Sequence, residues 1–153
     1  MADDTHDRIS GYLLALTVFG TSVLATLVAG RAADKELPEH FGTRDLLLGA
    51  VATQKFTRIL AKDAVTTPLR APFTEFEKPL GSGEVQDRPR HGHPQHAIGE
   101  LLTCPFCLAP WTATAYVAGL AVAPRAARTW AAVFAIVGGS DALQHLYGRL
   151  RTD

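Results

Sequence analysis

Apolar residues in this chain come in long blocks separated by charged stretches. Residues 9–30, ISGYLLALTVFGTSVLATLVAG, run for 22 positions without a charge. A helix needs about 20 such residues to cross the hydrocarbon core of a bilayer, so this block predicts a spanning helix. The second block, residues 45–64, is apolar in its first half (Leu46, Leu47, Leu48, Val51) and amphipathic in its second. There Leu48, Ala52, Phe56 and Ala64 fall on one face with Ile59 or Leu60, and Lys55, Arg58 and Lys62 line another. Three cations suit a headgroup layer and not a bilayer centre. The block therefore predicts a helix that spans with its charged end snorkelling at the interface, or one that tilts into the interface. A third block follows Cys104 and Pro105 up to Ala123, within an uncharged run over residues 101–124, and Pro110 is expected to kink it or delay its start. The fourth, residues 126–147, is uninterrupted only over residues 129–140. The Pro124-Arg125 turn leaves so little chain that the last two blocks must form an antiparallel hairpin.

The connecting stretches read differently. Residues 1–8 are a polar, acidic tail without the basic start of a secretory signal. In residues 65–73, VTTPLRAPF, Pro68 and Pro72 are expected to hold the backbone extended. Residues 74–97 combine glycine, proline, charge and histidine without a hydrophobic period, which predicts a flexible polar loop. Residues 94–103 suit a short helix. The fold class expected is all-α: a small integral membrane bundle of four apolar segments, the second amphipathic at its C-terminal end and the third proline-kinked, forming one domain over residues 1–153. Two stripes of small residues, Thr17, Thr21, Ala25, Ala29 and Ala127, Ala131, Ala135, Gly139, recur every fourth position and would let helices approach closely.

Composition sharpens this picture. The mean hydropathy of +0.08 averages two populations, apolar helices and a charged middle. Fifteen basic residues balance fifteen acidic ones, so no net field draws in nucleic acid. The expected partners are the lipid bilayer and, through the small-residue stripes, a second copy or a larger membrane assembly. With four spans and the N-terminus inside, the inner loops collect eight cations (Arg8, Lys62, Arg70, Lys78, Arg88, Arg90, Arg149, Arg151) against five outside (Arg31, Lys35, Arg44, Arg125, Arg128). That bias is expected to place the N-terminus and the long loop on the cytoplasmic side of the membrane.

The candidate chemistry centres on the only two cysteines, Cys104 and Cys107. One C-x-x-C is not a disulfide framework, and on the cytoplasmic side its thiols would stay reduced. If Cys104 caps the third helix and Pro105 fills its first turn, the helix dipole favours a nucleophilic thiolate, although no βαβ pattern surrounds the motif. The same sulfurs with His91, His93 or His96 would make a tetrahedral zinc site. Buried cysteines acting as small apolar residues at a helix start are the third reading. Asp141 lies inside the fourth block with His145 one turn later, an intramembrane ionisable pair for which Arg58 or Lys62 could supply a partner. Arg58, Asp63, Arg70 and Glu100 are expected to form a network on the cytoplasmic side, and they surround any substrate in an enzymatic reading. No phosphate-binding glycine loop, G-x-S-x-G elbow or H-E-x-x-H occurs. Glu84 and Asp87, a close pair of carboxylates, fall in the loop, which argues against glycosidase-like acid/base work.

Three elements occur in order: Arg58-x4-Asp63, then Thr66-x-Pro68-Leu-Arg70-x-Pro72-Phe73, then Gly99-Glu100-Leu101-x-x-Cys104-Pro105-x-Cys107, with Trp111 beyond. In these the chain resembles the bacterial membrane proteins grouped as domain of unknown function 1360, a family that includes a sporulation protein. The resemblance covers residues 45–148. It implies a multispan membrane protein and brings no activity with it. The expected function is a structural or interaction role in the membrane, with a thiol-dependent redox or metal-binding enzyme or carrier as the alternative.

Overall fold

A computed structural model describes residues 2–34, 39–90 and 95–151, with side chains from residue 9 onward. The elements are α1 (Ala2–Ala32), α2 (Thr43–Lys62), a 3₁₀ turn (Ala64–Thr66), α3 (Thr67–Arg70), β1 (Thr74–Gly81), β2 (Glu84–Pro89), α4 (Gln95–Thr103), α5 (Pro105–Val122) and α6 (Pro124–Leu150). The four long helices fall on the four apolar blocks. Two stretches, Ile9–Ala32 and Pro105–Val122, are long and apolar enough to cross a membrane. Pro105 sits in the first turn of α5, and the helix continues through Pro110, so its start is not delayed.

Helices α2, α5 and α6 pack together. Ala52, Tyr116, Leu120 and Ala131 are buried at their centre, with Leu48, Ala127, Trp130 and Phe134 against them. Phe56 meets Trp130 and Phe134 edge to face, at 5.4 and 5.0 Å between ring centroids. The apolar face read from α2 is thus the face that packs. Gly49 is required here, because a Cβ would lie 2.3 Å from the Tyr116 ring. Tyr116 in turn donates its hydroxyl to the Asp45 carbonyl at 3.0 Å. Of the small stripe on α6, Ala127 and Ala131 reach the core, whereas a Cβ on Gly139 would meet nothing within 4 Å.

Helix α1 stands apart from this core. It touches the rest where Gly11 abuts Ala97 of α4 and where Phe19 meets Trp111 of α5 at 5.0 Å. Leu13, Leu14, Leu16, Leu24 and Val28 remain exposed around it. Its apolar stretch, residues 9–32, is almost wholly uncovered by the rest of the protein.

The middle of the chain corrects two expectations. Where residues 74–97 were expected to be a flexible loop, β1 and β2 pair as an antiparallel hairpin in the register Thr74↔Pro89, Phe76↔Asp87 and Gly81↔Glu84. The turn needs three successive left-handed residues, Gly81, Ser82 and Gly83, with φ of 92°, 51° and 79°. Glycine supplies two of these without a Cβ penalty. The fold is therefore mostly helical and not purely α. The second correction is VTTPLRAPF, which coils into the 3₁₀ turn and α3 and does not run extended. Pro68 is tolerated because it occupies the first turn of α3, where its missing N–H has no partner to lose.

Candidate functional site

The C-terminal end of α2, α3, the hairpin, α4 and the start of α5 form a polar cap at one end of the bundle. Its keystone is Arg70, which retains only 1% of its surface. Nε and Nη2 both lie 2.9 Å from Asp87 Oδ2. Nη1 donates to the Leu60 carbonyl at 2.6 Å, to the Asp63 carbonyl at 3.2 Å and to Thr66 Oγ1 at 2.6 Å, and Nη2 also reaches the Asp63 carbonyl at 3.2 Å. The last carbonyls of a helix lack intrahelical partners and carry the negative end of its dipole. A buried guanidinium here caps α2 and neutralises that end, while Asp87 balances its charge. Asp87 Oδ1 is buried without a hydrogen-bond partner.

The hairpin tip folds back on the same helix end. Ala64 donates its N–H to Gly83 O at 2.8 Å, and Asp63 bridges to Glu84. Arg58 donates Nε and Nη2 to the two oxygens of Glu84 at 2.6 and 2.8 Å, a planar fork. Asp63 contributes its backbone to the cap, and partial burial pushes its carboxyl above the ordinary 3.8, against the lowering influence of Lys55. The base of the hairpin rests on Gly99 of α4, where a Cβ would lie 2.5 Å from Phe73 O and 3.0 Å from Pro89. This close approach accounts for the glycine in the Gly-Glu-Leu element.

Cys104 and Cys107 are joined by a disulfide, which corrects the expectation that both thiols stay reduced. Cys104 is the N-cap of α5, accepting the Cys107 N–H on Sγ at 3.2 Å, with Pro105 behind it as the spacing suggested. Joined sulfurs present no thiolate to a metal. His96 lies 3.4 Å from Glu100 and 3.2 Å from Arg90 O, and His91 and His93 lie outside the described residues. Among the described residues, no three His, Cys, Asp or Glu side chains converge on a point that could hold a metal ion.

The expected network of Arg58, Asp63, Arg70 and Glu100 is thus divided. Arg58 pairs with Glu84, Arg70 with Asp87 and with the backbone of Asp63, and Glu100 with His96. Asp141 pairs with Lys55 and not with Arg58 or Lys62. Gly138 of α6 faces Val51 and Lys55 of α2, one turn from the Lys55–Asp141 pair. His145, one turn on, is exposed. Asp87 and Glu84 carry two of the cap's ion pairs although their stretch reads from sequence as a flexible loop. The Gly-Ser-Gly turn between two short alternating stretches was the signal that would have ordered them.

The architecture defines a mostly helical protein with two membrane-competent helices and a polar cap. A match over residues 47–147 then places it: the chain belongs to the family of proteins of unknown function DUF1360. No curated protein and no solved structure matches it. Helix α1 precedes the matched region, in keeping with its loose attachment.

Proposed function

We propose that this is a multispan protein of the bacterial cytoplasmic membrane, with four helices crossing, the cap in the cytoplasm, and a structural or interaction role. The observation that carries this reading is the state of the cap's chemical groups. Arg70 is buried with its donors engaged, and the two sulfurs are bonded to each other. Groups arranged for catalysis face a cavity with free valences. These instead lock one helix end, one hairpin and one helix start together. The protein should resist alkaline extraction from membranes and need detergent for solubility. Release into aqueous buffer as a monomer would overturn the proposal.

A second reading, thiol exchange at Cys104 and Cys107, is favoured by the exposure of Cys107 and by the helix N-terminus beneath the pair. After reduction, alkylation rates should then reveal a thiol titrating below the ordinary cysteine range. Two inert thiols would sink it.

A further inference from the structure

A groove of about 500 Å³ runs between α2 and α5. Close packing is the rule between helices, and small residues on facing helices ordinarily bring the backbones together. Here Ala50 of α2 faces Ala109 and Ala113 of α5 across unfilled space. The wedge is Tyr116, whose ring sits over Gly49 and is tied to the Asp45 carbonyl. The protein builds the gap with its own side chains and leaves it open.

The lining is graded from end to end. Away from the cap it is Leu46, Ala50, Ala113 and Leu120; toward the cap it becomes Gln54, Thr57 and Arg58. Both Leu46 and Arg58 lie on α2, twelve residues apart, which at the helical rise is about 18 Å. One leaflet of hydrocarbon is about 15 Å deep, half of a bilayer core. At the polar end, Arg58 uses Nε and Nη2 on Glu84, and among the described residues its Nη1 makes no hydrogen bond and its side chain is 49% exposed. The fork onto Glu84 leaves Nη1 to donate to a phosphate oxygen. The groove wall takes in Pro105 and Phe106 but neither cysteine. Cys107 is about 100° around α5 from Phe106, so the disulfide chemistry lies elsewhere.

We infer that this groove is a phospholipid site: one acyl chain lies between α2 and α5, and the phosphate sits on Arg58 Nη1 beside Gln54. The inference rests on the proposed placement of α2 and α5 in the bilayer. Native mass spectrometry of the full chain in mild detergent tests it, titrating a dioleoyl phosphatidylglycerol and the matching diacylglycerol that lacks phosphate. The wild-type chain should retain one phospholipid and bind the diacylglycerol about tenfold more weakly, the equivalent of one charge-assisted hydrogen bond. Ala50→Trp, which fills the groove from an exposed position, should abolish both adducts. Ala109→Trp on the opposite wall serves if the first variant loses its helical circular dichroism. The double variant R58Q/E84Q removes the cation without stranding Glu84, and should reduce phospholipid binding to the diacylglycerol level. Unchanged adducts in a folded groove-filled variant, or equal retention of the two lipids, would overturn the inference while leaving the membrane placement standing. A chain that dissolves without detergent would overturn the placement itself.

Discussion

Removing the Asp87 carboxylate should undo the cap without dissolving the bundle. In Asp87→Ala, Arg70 keeps its bonds to the Leu60 and Asp63 carbonyls and to Thr66, but Nε loses its acceptor and the guanidinium its countercharge, at a site with 1% exposure. Breaking a buried ion pair from one side costs about 3–5 kcal/mol, because the remaining charge is stranded. Beyond its base on Gly99, the hairpin is held at its tip by one backbone hydrogen bond, the Asp63–Glu84 bridge and the half-exposed Arg58–Glu84 pair. A penalty of that size exceeds what these contacts return, so β1 and β2 should open locally. Hydrogen exchange in detergent micelles reads this directly: amides of residues 74–89 should lose about 100-fold or more in protection, the lower bound set by about 3 kcal/mol. Amides of α2 near Ala52, in the helical core, should change little. Asp87→Asn should fall between, since it keeps an acceptor for Nε but not the charge. In the cycle completed by Arg70→Leu, the double variant should be less damaged than the sum of the singles. Hairpin protection equal to wild type in Asp87→Ala would refute the assignment of Arg70 as keystone.

Three further outcomes follow from the same geometry. Gly99→Ala drives a methyl group into Phe73 O and Pro89, and should cost about 1–3 kcal/mol by overpacking, measured as the midpoint of thermal unfolding in detergent. Asp63 has a folded pKa above the 3.8 of the free group, so the folded state binds its proton more tightly. Its contribution to stability is present below pH 3.8 and lost as the pH rises through the folded pKa, and Asp63→Asn should flatten that loss in a pH series of unfolding midpoints. Reducing the Cys104–Cys107 disulfide opens a loop of four residues, for which chain entropy gives about 2 kcal/mol, so the reduced protein should unfold earlier while keeping its fold.

The long helices were legible because long hydrophobic blocks leave the backbone little choice. The packing face of α2 was legible for the same reason: Leu48, Ala52 and Phe56 recur at helical spacing and meet Tyr116, Trp130 and Phe134. The cap was legible only in its ingredients. Arg58, Arg70 and Gly99 stood out, but their partners Glu84 and Asp87 lie in a segment whose composition suggests disorder. The order of that segment comes from tertiary contacts that local propensity does not register: the buried Arg70, the Gly99 seat, and the bridge from Asp63. Pairing of Lys55 with Asp141 was likewise invisible, because it depends on which glycine of the Gly138-Gly139 pair faces α2.

The central proposal is that the cap and both of its flanking helix ends lie on one side of a membrane, opposite the α5–α6 turn. Single cysteines at Glu77, Arg125 and Arg149, in a chain with Cys104 and Cys107 replaced by alanine, allow labelling of intact cells with a membrane-impermeant maleimide. The account predicts labelling at position 125 alone, with positions 77 and 149 reacting only after the membrane is opened. Labelling of position 77 from outside intact cells, or identical behaviour at positions 77 and 125, would contradict it.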